Sequence, residues 1–343
     1  WDAWKPTLSR CDLLVDALVG TGLRASLEGT IAEIVRDVNL SRLPVVSVDM
    51  PSGVVNADHL SGSPCIRASL TVTFAVAKTA LISPMGLEHC GEVVVSDIGI
   101  PETVIQEEAN SDVELLTRNE IRSLIPRRSR ASHKGDFGHV VIVGGSLGKC
   151  GASRLAGLGA MRAGAGLVTV AGPKSCISSI STVPEYMTVP LNETERGAID
   201  DDAWIDIERV PATVFAVGPG LGTDPGAKRF VGDVLTGTAL PLVLDADALN
   251  IVAGSPELFE QRSVGPIVVT PHPGEMARLM RTTVEEVQRN RVEIARTYAS
   301  EKNVYVVLKG AGTLVASPSG EVSVNLTGNP GMACGGMGDV LTG

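Results

Sequence analysis

Short continuous apolar runs separated by helical stretches make up most of the chain. In the first third, runs at 13–19, 45–48, 70–76 and 92–95 predict short strands buried on both faces. A parallel strand covered by helices on either side is apolar throughout and does not alternate. A helical stretch over 28–38 follows the first run. Between 100 and 132 the pattern lapses. Glu107 and Glu108 are followed by Arg127, Arg128 and Arg130, which predicts a solvated connection with one short helix over 119–124. From His133 the alternation resumes. Strands are predicted at 139–143, 167–170, 214–217, 240–244, 266–269 and 304–308, with helices at 151–163, 227–235, 256–260, 273–280 and 284–300. The pattern predicts two α/β blocks, each a mostly parallel sheet with ligands at the carboxyl ends of its strands.

Composition narrows the chemistry. The 343 residues carry a formal net charge of −10 and few aromatics, which disfavours a nucleic-acid binder with its basic face and stacking rings. No apolar run approaches the roughly 20 residues that span a bilayer, and the first ten residues lack a secretory pattern. A cytoplasmic protein without a membrane segment is expected. Cys11, Cys65, Cys90, Cys150, Cys176 and Cys334 are scattered, so reduced thiols are expected and no zinc site.

The predicted strand ends carry glycine-rich turns. Asp16 precedes Gly20-Thr21-Gly22-Leu23-Arg24-Ala25-Ser26, whose spacing suits either a dinucleotide fingerprint or a tight strand-to-helix turn. Asp49-Met50-Pro51-Ser52-Gly53 puts a carboxylate and a hydroxyl at the next strand end. Asp16, Asp49 and Ser52 are expected to converge, offering oxygens to a cation and a base to a substrate. In the second block, 144–149 looks like a phosphate loop. It lacks the first glycine and the final Ser or Thr of a P-loop, and the small-residue run 151–166 reads as close helix packing. Gly220 and Gly222 leave backbone open to a ligand. Asp245 and Asp247 are two carboxylates able to hold hydrated Mg²⁺. His272 lies between two prolines and reads equally as structural or functional. Lys309-Gly310-Ala311-Gly312-Thr313 offers a cation and backbone donors suited to a nucleotide. Last, 329–339 runs a glycine-rich loop into a helix. That aims N–H groups at one point, an anion hole for a phosphoryl group, with Asp339 beside it. Asp339 reads either as a base toward a hydroxyl or as a carboxylate satisfying backbone donors.

Together and in this order, the segments at 133–139, 217–222, 245–250, 270–275, 309–313 and 329–339 resemble the dehydratase half of the bifunctional NAD(P)H-hydrate repair enzymes, a ribokinase-like α/β fold. Those at 15–23, 48–53, 72–81 and 91–101 resemble the C-terminal part of the Rossmann-like epimerase half. The resemblance implies an epimerase portion over 1–112 and an ADP-dependent dehydratase over 113–343. The implied chemistry is epimerisation of the R and S hydrates of NADH and NADPH, then dehydration of the S hydrate with release of AMP and phosphate. Mg²⁺ is implied for the dehydratase and K⁺ for the epimerase. Asp339 would be the base, with Gly336 and Gly338 in the anion hole. Lys309, Gly310, Ala311, Gly312, Thr313 and Gly338 would bind AMP or ADP. Ala152, Gly220, Gly222, His272 and Asp339 would contact the hydrated dinucleotide. Asp16 and Ser52 would be potassium ligands. Gly20, Thr21, Gly22, Leu23, Arg24, Ala25, Ser26 and Asp49 would form the epimerase substrate site. Lys78 matches a strand-end lysine without an assigned role. A homo-oligomer is implied.

The epimerase family's Asn-rich loop would lie upstream, and the dehydratase family's last helices downstream. A chain cut at both ends is expected, folding poorly or inactive as written. The alternatives are a vitamin-precursor kinase on the ribokinase-like fold, which shares the Gly-Asp anion hole, a non-catalytic dinucleotide-binding module over 1–101, and a Rossmann dehydrogenase, whose ribose-binding acid is not well placed.

Overall fold

The computed structural model describes residues 1–20, 23, 26–55, 63–108, 113–262 and 265–343. The chain forms two compact units, Trp1–Leu115 and Leu116–Gly343. Both are α/β, as the apolar runs predict.

The first unit holds a four-stranded parallel sheet of β1 (Leu14–Asp16), β2 (Val45–Val48), β3 (Leu70–Phe74) and β4 (Glu92–Ser96), in that order. The helix Gly29–Ser41 buries Ala32, Val35 and Val38 against Val45 and Ile66. These positions recur every three residues and share one helical face. The run at 13–19 is less buried than its composition suggests. β1 is an edge strand of three residues, and Val15 is 66% exposed. The segment expected to hold one short helix contains two, Glu102–Glu108 and Arg118–Leu124, and a short strand, β5 (Val113–Leu115). Thr117 and Glu120 close the second helix with a capping box, a signal present in the sequence.

In the second unit, β6 (His139–Val143), β7 (Leu167–Pro173), β8 (Met187–Leu191), β9 (Val214–Val217), β10 (Leu242–Leu244), β11 (Ile267–Val269) and β12 (Tyr305–Leu308) run parallel in the order β12-β11-β10-β9-β6-β7-β8. Beyond β12, β13 (Thr313–Ala316) and β14 (Val322–Asn325) continue the sheet antiparallel. The central strands are almost fully buried, including Val141, Ile142, Val143, Phe215, Val217 and Leu244.

Two expectations fail here. The helix expected over 284–300 is two helices, Val284–Arg289 and Arg291–Lys302, parted at Asn290. The thiols are not all reduced: Cys150 and Cys176 form a disulfide, while Cys11, Cys65, Cys90 and Cys334 are free. These two cysteines lie on consecutive helices around β7, a pairing that sequence spacing does not reveal.

The small-residue run does permit close packing. A Cβ on Gly157 would come within 2.7 Å of Val170, and one on Gly159 within 2.5 Å of the Val340 carbonyl oxygen. The helix Cys150–Ala163 therefore lies close to the sheet on one side and to the helix Met337–Thr342 on another. Among the described residues no helix is long and apolar enough to cross a membrane.

Candidate active sites at the strand ends

In the second unit the turns after β9, β10, β11 and β12 and the helix Met337–Thr342 meet around Asp245. This residue follows β10 at the N-cap of the helix Ala246–Gly254 and is 1% exposed. Its two carboxylate oxygens are separately engaged. Oδ1 accepts from Lys309 Nζ at 2.8 Å, and Oδ2 accepts from Thr342 Oγ1 at 2.6 Å. Asp245 is thus an internal brace between the strand-end lysine and the last helix, and not one of two open carboxylates free to hold hydrated Mg²⁺. Asp247 Oδ2 instead accepts from the Gly222 N–H at 2.8 Å and lies 3.5 Å from Lys149 Nζ.

Lys309 Nζ also lies 3.7 Å from Glu275 Oε2, and a Cβ on Gly338 would stand 3.6 Å from the same ammonium. Gly338 thus adjoins that ammonium. Asp339 is one residue further on, partly buried. Burial, and then the charges of Asp245 and Asp247, push its carboxyl above the usual carboxylate range against the opposing pull of Lys309. A carboxylate so placed is a better proton acceptor than a free one.

The other expected site residues fall around this group. A Cβ on Gly220 would lie 3.0 Å from Ala152 Cβ and 2.7 Å from the Lys149 carbonyl oxygen, so Ala152 and Gly220 adjoin. His272 is the N-cap of the helix Pro273–Met280. Its Nδ1 accepts from the Gly274 and Glu275 N–H groups at 3.0 and 3.3 Å, while Glu275 Oε2 accepts from the His272 N–H at 2.8 Å. Both readings of this histidine thus survive, because its side chain caps the helix and remains 50% exposed. Gly336 (φ +93°) starts the last helix, and a Cβ there would come within 2.7 Å of Leu155, so only glycine fits without strain.

In the first unit, Asp16 and Ser52 come together as expected. Asp16 Oδ1 accepts from Ser52 Oγ at 2.6 Å, while Oδ2 accepts from the Ser52 N–H and from Ser47 Oγ at 2.8 Å each. Asp49 is engaged elsewhere. With φ at +68°, it accepts hydrogen bonds from Lys78 Nζ and, at 3.1 Å each, from Thr73 Oγ1 and the Phe74 N–H. Lys78 thereby gains a partner that the sequence alone did not indicate. Burial pushes the Asp49 carboxyl up, but the Lys78, Phe74 and Thr73 hydrogen bonds outweigh it and hold the group below its usual range. A side chain on Gly20 would meet nothing within 4 Å, so packing does not require glycine there. Leu23 and Ser26 are part-buried and exposed, respectively. Thr21, Gly22, Arg24 and Ala25 lie outside the described residues.

A family model for NAD(P)H-hydrate dehydratase matches residues 140–343, the span that contains the whole Asp245 cluster. The chain belongs to the NAD(P)H-hydrate dehydratase family. A second model, for the YjeF-related protein N-terminus, matches residues 1–80. The bifunctional NAD(P)H-hydrate repair enzyme Nnr of Moorella thermoacetica is 44% identical over 97% of this chain and 63% of its own length. The Escherichia coli protein of the same name is 35% identical over 97% of the chain and 61% of its own. The chain thus spans a little under two thirds of these relatives. Among solved structures, the ADP/ATP-dependent NAD(P)H-hydrate dehydratase of Bacillus subtilis, co-crystallised with ATP/Mg²⁺, is similar with a TM-score of 0.57. It is 34% identical, over 67% of this chain and 78% of that one. A ribokinase-like superfamily protein of Enterococcus faecalis is similar with a TM-score of 0.58 at 28% identity, over 68% and 78%. The dehydratase-family unit is thus the ribokinase-like fold expected.

Proposed function

We propose that the second unit dehydrates the S hydrate of NADH or NADPH at the expense of ADP. The first unit, 1–112 in this reading, contributes to epimerisation of the R and S hydrates, and 113–343 forms the dehydratase. The observation that carries this reading is Asp339, a carboxylate of raised proton affinity beside Gly338 and the Lys309 ammonium.

The chemistry follows from charge. Hydroxide is a poor leaving group and phosphate a good one. Asp339 takes the proton of the hydrate's hydroxyl, and the oxygen attacks the terminal phosphorus of ADP as AMP leaves. The C–O bond then breaks with release of phosphate, and the adjacent ring carbon gives up a proton to water as its C–H electrons form the returning ring double bond. Gly336 and Gly338 keep side chains away from the transferring group, so backbone N–H groups face it. Lys309 holds positive charge nearby, and Gly310, Ala311, Gly312 and Thr313 line the adenine-nucleotide site. Ala152, Gly220, Gly222 and His272 contact the hydrated dinucleotide.

Asp245 and Glu275 lie against Lys309, Asp247 lies 3.5 Å from the more exposed Lys149, and Asp339 feels Asp245, Asp247 and Lys309, an excess of negative charge that suits a nucleotide arriving with Mg²⁺ on its phosphates. That cation supplies charge neutralisation of the phosphoryl group. The relative's ATP/Mg²⁺ supports the nucleotide and metal, and ADP is the donor proposed here. In the first unit, Asp16 and Ser52 would hold K⁺. In this structure Ser52 Oγ donates to Asp16 Oδ1 at 2.6 Å in a buried site, so K⁺ would have to replace that hydrogen bond. Gly20, Leu23, Ser26 and Asp49, with Thr21, Gly22, Arg24 and Ala25, would meet the epimerase substrate. A cytoplasmic homo-oligomer completes the reading.

The test mixes the protein with hydrated NADH, Mg²⁺ and K⁺ and follows the return of reduced-nicotinamide absorbance with ADP, ATP or neither. Recovery that needs ADP is expected. A stable phosphorylated vitamin-precursor alcohol, with no recovery of NADH, would turn the assignment to a small-molecule kinase of the same fold.

A further inference from the structure

The turn that joins β12 to β13, 309–312, hides a cation beneath it. Arg291 is the first residue of the helix Arg291–Lys302, just past the break at Asn290. Its guanidinium donates to the carbonyl oxygens of Leu308 at 3.2 Å, Lys309 at 3.4 Å and Gly312 at 3.2 Å, and to Gln288 Oε1 at 3.1 Å. Among the described residues no carboxylate pairs with it, and burial lowers its proton affinity from the usual arginine value. A Cβ on Gly310 would come within 3.0 Å of the guanidinium, so the charge lies directly under the turn.

The carbonyls of this turn point inward, and its amides are left open. The Lys309 N–H is used by the Pro271 carbonyl, but the N–H groups of Gly310, Ala311 and Gly312 have no acceptor among the described residues. Gly310 and Ala311 are exposed. Successive open N–H groups in a turn with left-handed glycines form a concave anion site. Gly310 and Gly312 have φ of +142° and +62°.

Resting on the nucleotide reading above, we infer that Arg291 is the positioning residue of the nucleotide site. By holding the carbonyls of Leu308, Lys309 and Gly312 on one side, it presents the exposed amides of Gly310 and Ala311, with a buried positive charge behind them, to the phosphates of an adenine nucleotide. Lysine replaces it poorly, because Nη2 reaches the three carbonyls while Nη1 is anchored on Gln288 Oε1 and the Lys309 carbonyl, and one ammonium cannot occupy both nitrogen positions.

The experiment measures ADP binding by calorimetry, with Mg²⁺, for the wild type, Arg291→Lys and Arg291→Gln. Denaturant unfolding of each is recorded beside steady-state repair of hydrated NADH. Expected for Arg291→Lys is ADP binding weakened about tenfold or more, a matching rise in KM for ADP, and kcat and the KM for hydrated NADH little changed. A variant that binds ADP as the wild type does would overturn the inference. So would losses shared equally between KM and kcat that track lowered stability, since these mark a merely structural arginine. Weakened ADP binding in the variant, with no repair of hydrated NADH by either protein, would uphold Arg291 and sink the dehydratase reading instead. A wild type that binds neither ADP nor pyrophosphate would overturn both.

Discussion

Asp49 in the first unit and Asp339 in the second are the two carboxylates proposed to face substrate, and their surroundings oppose one another. Asp49 shares one partner, Lys78, and two further hydrogen bonds. Burial works against its charge, but the bonds win, and its carboxyl is held low. Asp339 is half-buried in a crowd of acids that outnumber Lys309, and Lys309 is already spent on Asp245. Its carboxyl is pushed up. The difference shows that a strand-end Asp is not a base by position alone: the count of charges around it, and which of them are already paired, sets its proton affinity.

The comparison breaks most sharply at Asp339. Asp339→Asn keeps the shape and removes the proton acceptor, so ADP-dependent dehydration is expected to fall roughly 10²–10⁴-fold, with ADP binding retained. Initial rates of NADH return measure it. Undiminished dehydration would remove Asp339 from the chemistry. In the wild type the sign is fixed by the raised carboxyl. Dehydration should rise with pH through a limb above the usual carboxylate range, because the base must be ionised.

Lys78→Met takes from Asp49 the partner that holds it low while leaving it part-buried. Epimerisation is then expected to drop roughly tenfold near neutral pH, and its acid limb to move to higher pH. The rate of interconversion of the two hydrates, followed across pH, reads this. An unmoved limb would mean that Lys78 does not set the ionisation of Asp49.

The smallest effect concerns the brace. Thr342→Val leaves one oxygen of buried Asp245 without its donor, which is expected to cost about 1–3 kcal/mol of stability, while Thr342→Ser costs little. Denaturant midpoints of the two variants give the answer. Equal midpoints would show that Asp245 finds another donor.

Much of this was legible in the sequence because it is local. The strands at 45–48, 139–143 and 214–217 fall where the apolar runs lie, and the glycine turns fall at strand ends. The β13–β14 hairpin carried a signal as well, Ser317-Pro318-Ser319-Gly320, with Gly320 at φ +92°. What escaped is long-range. Asp245 reads as half of a metal pair until Lys309 and Thr342 are seen to occupy it. An arginine at the start of a helix carries no mark that its guanidinium reaches three carbonyls 17 to 21 positions later. The exposure of Val15 depends on its strand lying at the sheet edge, which an apolar run cannot report.

The brace has a consequence for how the molecule comes into being. The Asp245–Lys309 pair closes a separation of 64 positions and the Asp245–Thr342 bond one of 97. Contacts between such distant positions form late, because the loop-closure entropy falls due before the contact yields anything. A nascent chain that has completed β10 carries Asp245 at the end of a finished strand, with no lysine or threonine yet made to meet it. Until both arrive, that carboxylate stays hydrated and the turns around it have nothing to gather on. The proposed phosphoryl chemistry would therefore await the last steps of folding.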